Sequence, residues 1–293
     1  MSTRSLLNLV LAAAAVALGL VIYFQPGLEP DPVLQPLTTG LDPETVTTIR
    51  VERLMRPPLN FVRREGRWYL LSGDQELPAS EFQIQSLLRL PGAASSISYP
   101  LDTLDPAAVG LEPPRATITI DAVEFRIGTT EPLENRRYTL VARTVYLIED
   151  RYQHLINAGW ANFVSRRLLP AGSPVTGLQL PGIGLKLSTA GKWDMTPADP
   201  GIGADAIQRL VENWEQASAL YIRRFDDGET GEAVSIRTRA NPEGIRLLIL
   251  ARSPELILAR PDWGIQYHLS GTTGAGLLRA KDPAQRQGSG DAP

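Results

Sequence analysis

The sequence contains no cysteine, and this absence excludes several kinds of chemistry at once. Without a single thiol in 293 residues, the chain can form no disulfide, no thiolate metal site and no cysteine nucleophile. A body of about 250 residues buries enough surface to be stable without such cross-links. We therefore expect a globular body that is stabilised by burial alone.

Histidine is almost as scarce. His154 and His268 are the only two, neither has a carboxylate at a metal-binding spacing such as H-E-x-x-H, and no G-x-S-x-G nucleophile motif is present. We interpret both as surface or core side chains. The sequence thus predicts no catalytic residue, no cofactor and no metal site, and a protein that is not an enzyme.

Basic charge is limited as well. Lys186, Lys192 and Lys281 are the only lysines, and the formal net charge is -3. A nucleic-acid-binding domain normally carries a broad basic field. The composition therefore argues against nucleic acid as a partner.

Three stretches lack the residues that would make them ligand-binding loops. Gly-Thr-Thr at 128–130 and Gly-Thr-Thr-Gly at 271–274 have no following Lys of the P-loop type, and we interpret both as hairpin turns. The acidic stretch 226–229 lacks the spacing of a calcium-binding loop and is interpreted as a solvated turn.

One long apolar run lies near the N-terminus. Residues 5–24 carry no charge and no proline, and a helix of that length spans roughly 30 Å, the thickness of a bilayer's hydrocarbon core. Arg4 precedes the run, whereas Glu29 and Asp31 follow it, so the positive-inside rule places the N-terminus in the cytoplasm. The run predicts a signal anchor that contacts the lipid bilayer through residues 5–24.

Two other interpretations of this run are weaker. A cleaved signal peptide has an apolar core of about 7–15 residues and a small-x-small site, whereas this run ends in bulky side chains at 21–24. A buried core helix is disfavoured by the position at the very N-terminus. The rest of the chain is accordingly expected outside the cytoplasm.

The chain divides by composition into five segments. Residues 1–25 hold a short cytoplasmic stub and the anchor, and residues 26–42 form a proline-rich, extended stalk. Two α+β modules are expected at 43–171 and 172–279. The polar residues 280–293 predict a disordered tail.

The first module starts with strand-like alternation around Ile49 and Val51, followed by a hairpin at Gly66. Ser80 and Gln83 then have the spacing of a capping box at the start of a helix. Further alternating runs from 116 to 148 complete an antiparallel set.

The second module repeats this order. Trp193 follows a glycine as Trp68 does, and a helix-start residue, Ser80 or Asp205, comes twelve residues after each Trp. The second helix carries an amphipathic stripe of Ile207, Leu210, Val211, Trp214 and Ala217. The repetition predicts an internal duplication over roughly 43–165 and 172–272.

The predicted fold class is therefore α+β. A single transmembrane helix would be followed by two related modules, each an antiparallel sheet packed on one main helix. One larger mixed sheet is the alternative.

Five residues are candidates for contact with a partner. Arg136, Arg137 and Tyr138 are predicted in one loop, next to Asn135. Trp160 and Trp263 each lie beside a glycine, a setting that favours exposed aromatic anchors at an interface.

The spacing of several glycines, prolines and aromatics resembles a known family. Gly66-x-Trp68, the stretches 110–114 and 127–130, and the aromatic strands around Tyr138 and Tyr146 are similar to the domain of unknown function 4340 family. The resemblance covers residues 45–170 best, and the second copy more loosely. These residues define a fold and carry no chemistry.

This resemblance implies a location and a role. Members resemble single-pass proteins of the bacterial inner membrane with a periplasmic body, and some are accessories of ABC-type or gliding-motility-type export systems. The resemblance thus implies a non-enzymatic accessory or scaffold with membrane-protein partners of the envelope. The alternatives are a periplasmic sensor that binds a small ligand or glycan and, less favoured, an envelope hydrolase.

Overall fold

A computed structural model describes residues 3–23, 34–38, 40–226 and 228–280, with the backbone alone for residues 3–7 and 22. Most of the predicted stalk, and the predicted tail beyond residue 280, lie outside the described residues. These two predictions therefore stay predictions.

Strands dominate the described chain. The first large sheet contains nine strands in the order β5-β4-β3-β2-β8-β9-β10-β11-β7. Their bounds are β2 Thr48–Arg53, β3 Arg56–Arg64, β4 Arg67–Ser72, β5 Gln75–Pro78, β7 Ser98–Pro100, β8 Ala116–Ile120, β9 Val123–Thr130, β10 Arg136–Val141 and β11 Thr144–Glu149.

The second large sheet contains eight strands in the order β14-β13-β12-β16-β17-β18-β19-β15. Their bounds are β12 Val175–Leu180, β13 Ile183–Leu187, β14 Trp193–Thr196, β15 Tyr221–Arg224, β16 Glu232–Thr238, β17 Ile245–Ala251, β18 Leu256–Arg260 and β19 Ile265–Leu269. A third, two-stranded sheet pairs β1 Gln35–Pro36 with β6 Ala94–Ser95.

Helices are few among the described residues. They are α1 Thr3–Tyr23, α2 Glu81–Leu88, α3 Gln153–Asn157, α4 Ala204–Gln216 and α5 Gly271–Leu278, with 3-10 turns at Leu101–Thr103, Trp160–Phe163 and Pro261–Trp263. The predicted α+β class is therefore wrong. The fold is a mostly β sandwich of three antiparallel sheets, because the alternating apolar pattern extends through most of the chain whereas α2 is only eight residues long.

The two large sheets follow the same path. The first sheet begins with a meander of four strands, β2 to β5, and the second with a meander of three, β12 to β14. Each sheet then continues through a helix and an edge strand and ends in four strands that return across the sheet. The strand order 4-3-2-8-9-10-11-7 in the first sheet matches 14-13-12-16-17-18-19-15 in the second. The two glycine turns before Trp68 and Trp193 also match, because Gly66 and Gly191 have φ of 76° and 75°.

Alternation along the strands builds the core. In β2 the side chains of Ile49, Val51 and Arg53 are buried, whereas those between them are exposed. The predicted stripe of the second helix is confirmed, since α4 buries Ile207, Leu210, Val211 and Trp214. One continuous apolar cluster includes residues of both large sheets.

A short segment joins the sheets. The Ser165 amide donates to the Pro78 carbonyl at 2.7 Å, and the Ser80 amide donates to the Phe163 carbonyl at the same distance. A few residues later, the Leu168 amide donates to the Ala217 carbonyl at 3.1 Å. The segment 163–168 is thus hydrogen-bonded first to residues next to the first sheet and then to a residue that follows α4, next to the second sheet.

The prediction of a membrane anchor is corrected by the helices themselves. Among the residues that the structure describes, no helix combines the length and the apolar character that a bilayer crossing requires. The predicted transmembrane anchor at 5–24 and the predicted inner-membrane location are not supported.

Two local predictions also differ from the structure. The stretch 128–130 lies within β9, and the stretch 271–274 starts α5, so neither is a hairpin turn. Ser80 does occupy the N-cap of α2, but its side chain makes no capping hydrogen bond.

Candidate functional site

A hollow lies between α2 and α3, and we name it the α2–α3 groove. Its volume is about 740 Å³, within the range of about 300–1,000 Å³ that is typical of small-ligand pockets. It is bounded by Leu34, Thr38, Leu41 and Pro43, by the C-terminal end of α2, by residues 91–96, by parts of β10 and β11, and by residues 151–154.

The walls of the α2–α3 groove are mainly apolar. Leu88 and Leu147 are buried members of the fold, and they line the groove together with Leu34, Leu41, Pro43, Pro91 and Ala93. Short polar side chains at Thr38, Ser86 and Ser96 interrupt these walls. The groove can therefore bury an apolar group and orient it with a few hydrogen bonds.

Charge on the groove is predominantly positive. Three arginines, Arg89, Arg136 and Arg151, line it against one carboxylate, Glu149. Arg151 pairs with Glu149. Arg136 pairs with Glu134 at 2.9 Å and donates to the Ser96 hydroxyl at 3.1 Å. Within the described chain Arg89 has no carboxylate partner, so its charge is available to a ligand.

Tyr152 forms the back of the groove. Burial raises the pKa of Tyr152, while the nearby charges of Arg151 and Arg89 act in the opposite direction. Its phenol is thus a neutral hydroxyl at pH 7, beside two guanidinium groups. His154 is exposed and lines the groove next to Tyr152.

Of the predicted contact residues, Arg136 is the one that lines the groove. Tyr138 is half-buried against a small apolar cluster of Leu111, Leu140 and Val145. Arg136, Arg137 and Tyr138 are consecutive on β10. Because neighbours on a strand point to opposite faces, the Arg137 side chain lies on the face opposite to those of Arg136 and Tyr138.

Arg137 is buried in an ion-pair network. Its Nε and Nη2 each donate to Asp150 at 2.6 Å, and its Nη1 donates to the Gly128 carbonyl at 2.7 Å. The Thr130 hydroxyl donates to Asp150 at 2.7 Å. Burial acts to raise the pKa of Asp150, but the hydrogen bonds from Arg137 and Thr130 outweigh it and leave that pKa below its usual value. The role that the geometry supports for Arg137 is structural.

Trp160 and Trp263 are both half-buried, and each carries an arginine on its ring. The Arg224 guanidinium lies 4.5 Å from the Trp160 ring centre, and the Arg260 guanidinium lies 3.1 Å from that of Trp263. The turn that holds Trp263 also meets the first sheet, because the Gln75 amide donates to the Asp262 carbonyl at 2.9 Å. Their prediction as partner contacts remains a prediction.

A histidine–carboxylate contact was not anticipated from the sequence. His268 Nδ1 lies 3.1 Å from Glu255, and the Tyr221 hydroxyl donates to the same carboxylate oxygen at 2.8 Å. The rings of Tyr221 and His268 stack at 4.4 Å. His268 Nε2 is buried without a hydrogen-bond partner, and the stacked rings of Tyr221 and His268 join the paired strands β15 and β19.

Metal-binding geometry is not found within the described ranges, where no group of three or more histidine or acidic side chains could hold an ion. Part of the acidic stretch at 226–229, residue 227, lies outside those ranges.

Comparison of this chain with protein-family profiles, with curated proteins and with solved structures finds no match.

Proposed function

We propose that this chain is a non-enzymatic binding protein whose α2–α3 groove takes an anionic ligand with an apolar body. The observation that supports this most directly is Arg89, which has no carboxylate partner among the described residues and lies on a groove whose walls are mainly apolar. An exposed arginine beside Arg151 can form a charge-assisted, bidentate contact with a carboxylate or a phosphate.

The corresponding place in the second sheet supports a specialised role for the groove. In both halves a hollow lies beside the C-terminal end of the main helix and the residues that follow the last strand. In the second half this hollow is smaller, at about 510 Å³, and carries no charged side chain on its lining. The positive charge is thus particular to the first half.

The test compares two probes of nearly the same shape, one with a charged carboxylate and one with a neutral amide. We expect 2-naphthoate to bind the full chain, and the neutral 2-naphthamide to bind at least fivefold more weakly. Amide chemical-shift changes in a ¹H–¹⁵N spectrum should be confined to residues such as Gly92, Ala93 and Ala94. Shifts spread over the chain, or equal affinities for both probes, would count against the proposal.

A matched pair of variants sharpens this test. Arg89→Gln should weaken 2-naphthoate by about tenfold, since a hydrogen bond to a charged group contributes about 1.5–3 kcal/mol. Arg126→Gln removes another exposed arginine, which pairs with Glu124 away from the groove, and it should leave the affinity unchanged. Equal affinities in the two variants would contradict a role for Arg89.

The identity of the natural ligand is a separate question. That the protein assists an ABC-type export system is implied by the family resemblance alone, and we retain it as a proposal. A groove for an acidic ligand is compatible with such an accessory role and with a ligand sensor, and both are binding functions.

A further inference from the structure

We propose that a second surface of this protein docks an acidic segment of a partner protein. This surface lies around the loop at 157–160. It consists of Arg53, Leu54, Met55, Arg56, Trp160 and Arg224. It combines positive charge that has no partner in the described chain with exposed apolar side chains.

Two arginines of the β2–β3 hairpin meet at the end of α3. Arg53 Nη1 donates to the Ala158 carbonyl at 2.5 Å, and Arg56 Nη1 donates to the Asn157 carbonyl at 2.7 Å. The negative end of a helix attracts cations, yet carbonyl groups do not neutralise them. No carboxylate of the described residues pairs with either arginine.

The charge of this pair is therefore uncompensated. Arg53 is 9% exposed, and its Nε is buried without a hydrogen-bond partner. Burial lowers the pKa of Arg53, and the adjacent charge of Arg56 lowers it further. An incoming carboxylate at Arg56 would relieve this repulsion.

A third arginine, Arg224, stacks on an aromatic ring. Arg224 is exposed, and its guanidinium stacks 4.5 Å from the centre of the Trp160 ring. Stacking fixes the plane of the guanidinium while its N–H edges stay free for a bidentate partner. No hydrogen bond or ion pair within the described chain uses these edges.

The three arginines lie close together because the same short loop holds them. Ala158 and Trp160 are two residues apart, so their Cα atoms are at most about 7.6 Å from each other. Arg53 and Arg56 bond beside Ala158, and Arg224 stacks on Trp160. An extended peptide of a few residues can reach all of them.

The tip of the hairpin adds an apolar contact. Leu54 is 55% exposed and Met55 is 98% exposed, and Met55 has φ of 57°, a left-handed conformation that Gly or Asn adopts at lower cost. Nothing in the described fold packs on this methionine. Methionine, arginine and tryptophan are enriched at the centres of protein interfaces, and the mixture favours a protein partner over a purely ionic one.

The experiment selects peptides on the full chain from a phage-displayed library of random twelve-residue sequences. We expect enrichment of peptides that combine several Asp or Glu residues with a large apolar residue. A synthetic copy of one selected peptide should bind at least tenfold more tightly than its Asn/Gln counterpart, and added salt should weaken it. Enrichment without acidic residues would overturn the proposal.

Variants locate the binding. The double change Arg56→Gln with Arg224→Gln should weaken the selected peptide at least tenfold, and Met55→Gly, which suits the left-handed backbone, should weaken it about threefold. Arg126→Gln serves as the matched control and should have no effect. An unfolding midpoint measured for each variant separates lost binding from lost structure.

Anionic vesicles provide the competing outcome. Vesicles of phosphatidylglycerol and phosphatidylcholine should not compete with the peptide at physiological salt. If the protein binds vesicles but no peptide, and changes at Met55 and Arg56 weaken the vesicle binding, the surface recognises lipid and the proposal is wrong. Unchanged peptide binding in the double variant would be equally decisive against it.

Discussion

Among the described residues, Arg137 and Asp150 form the most buried ion pair of the first sheet. The two side chains are 7% and 10% exposed, and Asp150 also accepts from Thr130. Removing one member of a buried pair leaves the other charge unpaired, which costs about 3–5 kcal/mol. We expect Arg137→Met to lower the free energy of unfolding by that amount in urea denaturation.

Arg126→Met is the control for this prediction. The Arg126–Glu124 pair has the same separation of 2.6 Å, but its side chains are 45% and 49% exposed. Exposed pairs contribute only about 0–1 kcal/mol. Similar losses in both variants would show that burial does not decide the importance of these pairs.

Asp150 also predicts a pH dependence. Its pKa is lowered in the folded protein, so its contribution is present above its unfolded pKa of about 3.9 and is lost as the pH falls through the folded value. We expect the urea midpoint of the protein to fall below about pH 4. The midpoint of Asp150→Asn should be lower at pH 7 and should fall less on acidification. Parallel curves for the two proteins would contradict this assignment.

These residue-scale contacts are the part of the structure that the sequence revealed least. Arg137 and Asp150 are separated by twelve intervening residues, and His268 and Glu255 are likewise distant in the chain. No fixed spacing marks such pairs, because they form only when strands settle into register. Arg137 was accordingly interpreted as a surface residue, although Arg136 beside it does line the groove.

At the scale of elements, Gly128 shows why β9 requires a glycine. A Cβ at this position would lie 2.4 Å from the Val109 carbonyl oxygen and 3.2 Å from the Leu111 side chain. Backbone cannot move aside as a flexible side chain can. We expect Gly128→Ala to lower the free energy of unfolding by about 1–3 kcal/mol, the range of overpacked sites, in chemical denaturation.

Gly159→Ala is its matched control, because a Cβ there meets nothing within 4 Å and the backbone φ is -72°. That change should leave stability the same or raise it slightly. A larger loss at Gly159 than at Gly128 would refute the packing argument.

Most strands could be anticipated, because alternation reports directly on a half-buried sheet. The stripe of α4 was equally clear, since Trp214 is fully buried and its ring nitrogen donates to the Leu277 carbonyl at 2.9 Å. The glycine-rich stretches were misinterpreted because glycine allows close packing as well as turns. At Gly274, for example, Leu256 lies where a Cβ would be.

At the scale of the whole molecule, one apolar cluster crosses from the first sheet to the second. Phe163 lies in the joining segment, is fully buried and packs 5.5 Å from the ring of Phe61. We expect a single unfolding transition by calorimetry for the two sheets together. Phe163→Ala should cost about 3–5 kcal/mol and lower the midpoint of that transition.

Two probes test this cooperativity. Hydrogen exchange at Ile118 in the first sheet and at Leu258 in the second should respond equally to Phe163→Ala. Two calorimetric transitions in the unaltered protein, or exchange that changes in one sheet alone, would show that the sheets unfold independently.

The overall architecture was predictable only in part. The repeated order of patterns anticipated that similar sheets follow one another, but the fold class was wrong because strands outnumber helices so strongly. The α2–α3 groove could not be foreseen, since its walls come from residues 34–154 and meet only after both α2 and α3 have packed.

The matching paths of the two sheets allow a division of roles between them. In the second sheet α5 packs against α4 and helps to close the hollow, with the Asn213 amide bonded to the Gly276 carbonyl at 3.0 Å. The second half can therefore maintain the scaffold, while the residues that line the α2–α3 groove of the first half can change. Divergence among descendants of this chain should therefore concentrate around Arg89 and spare Trp214.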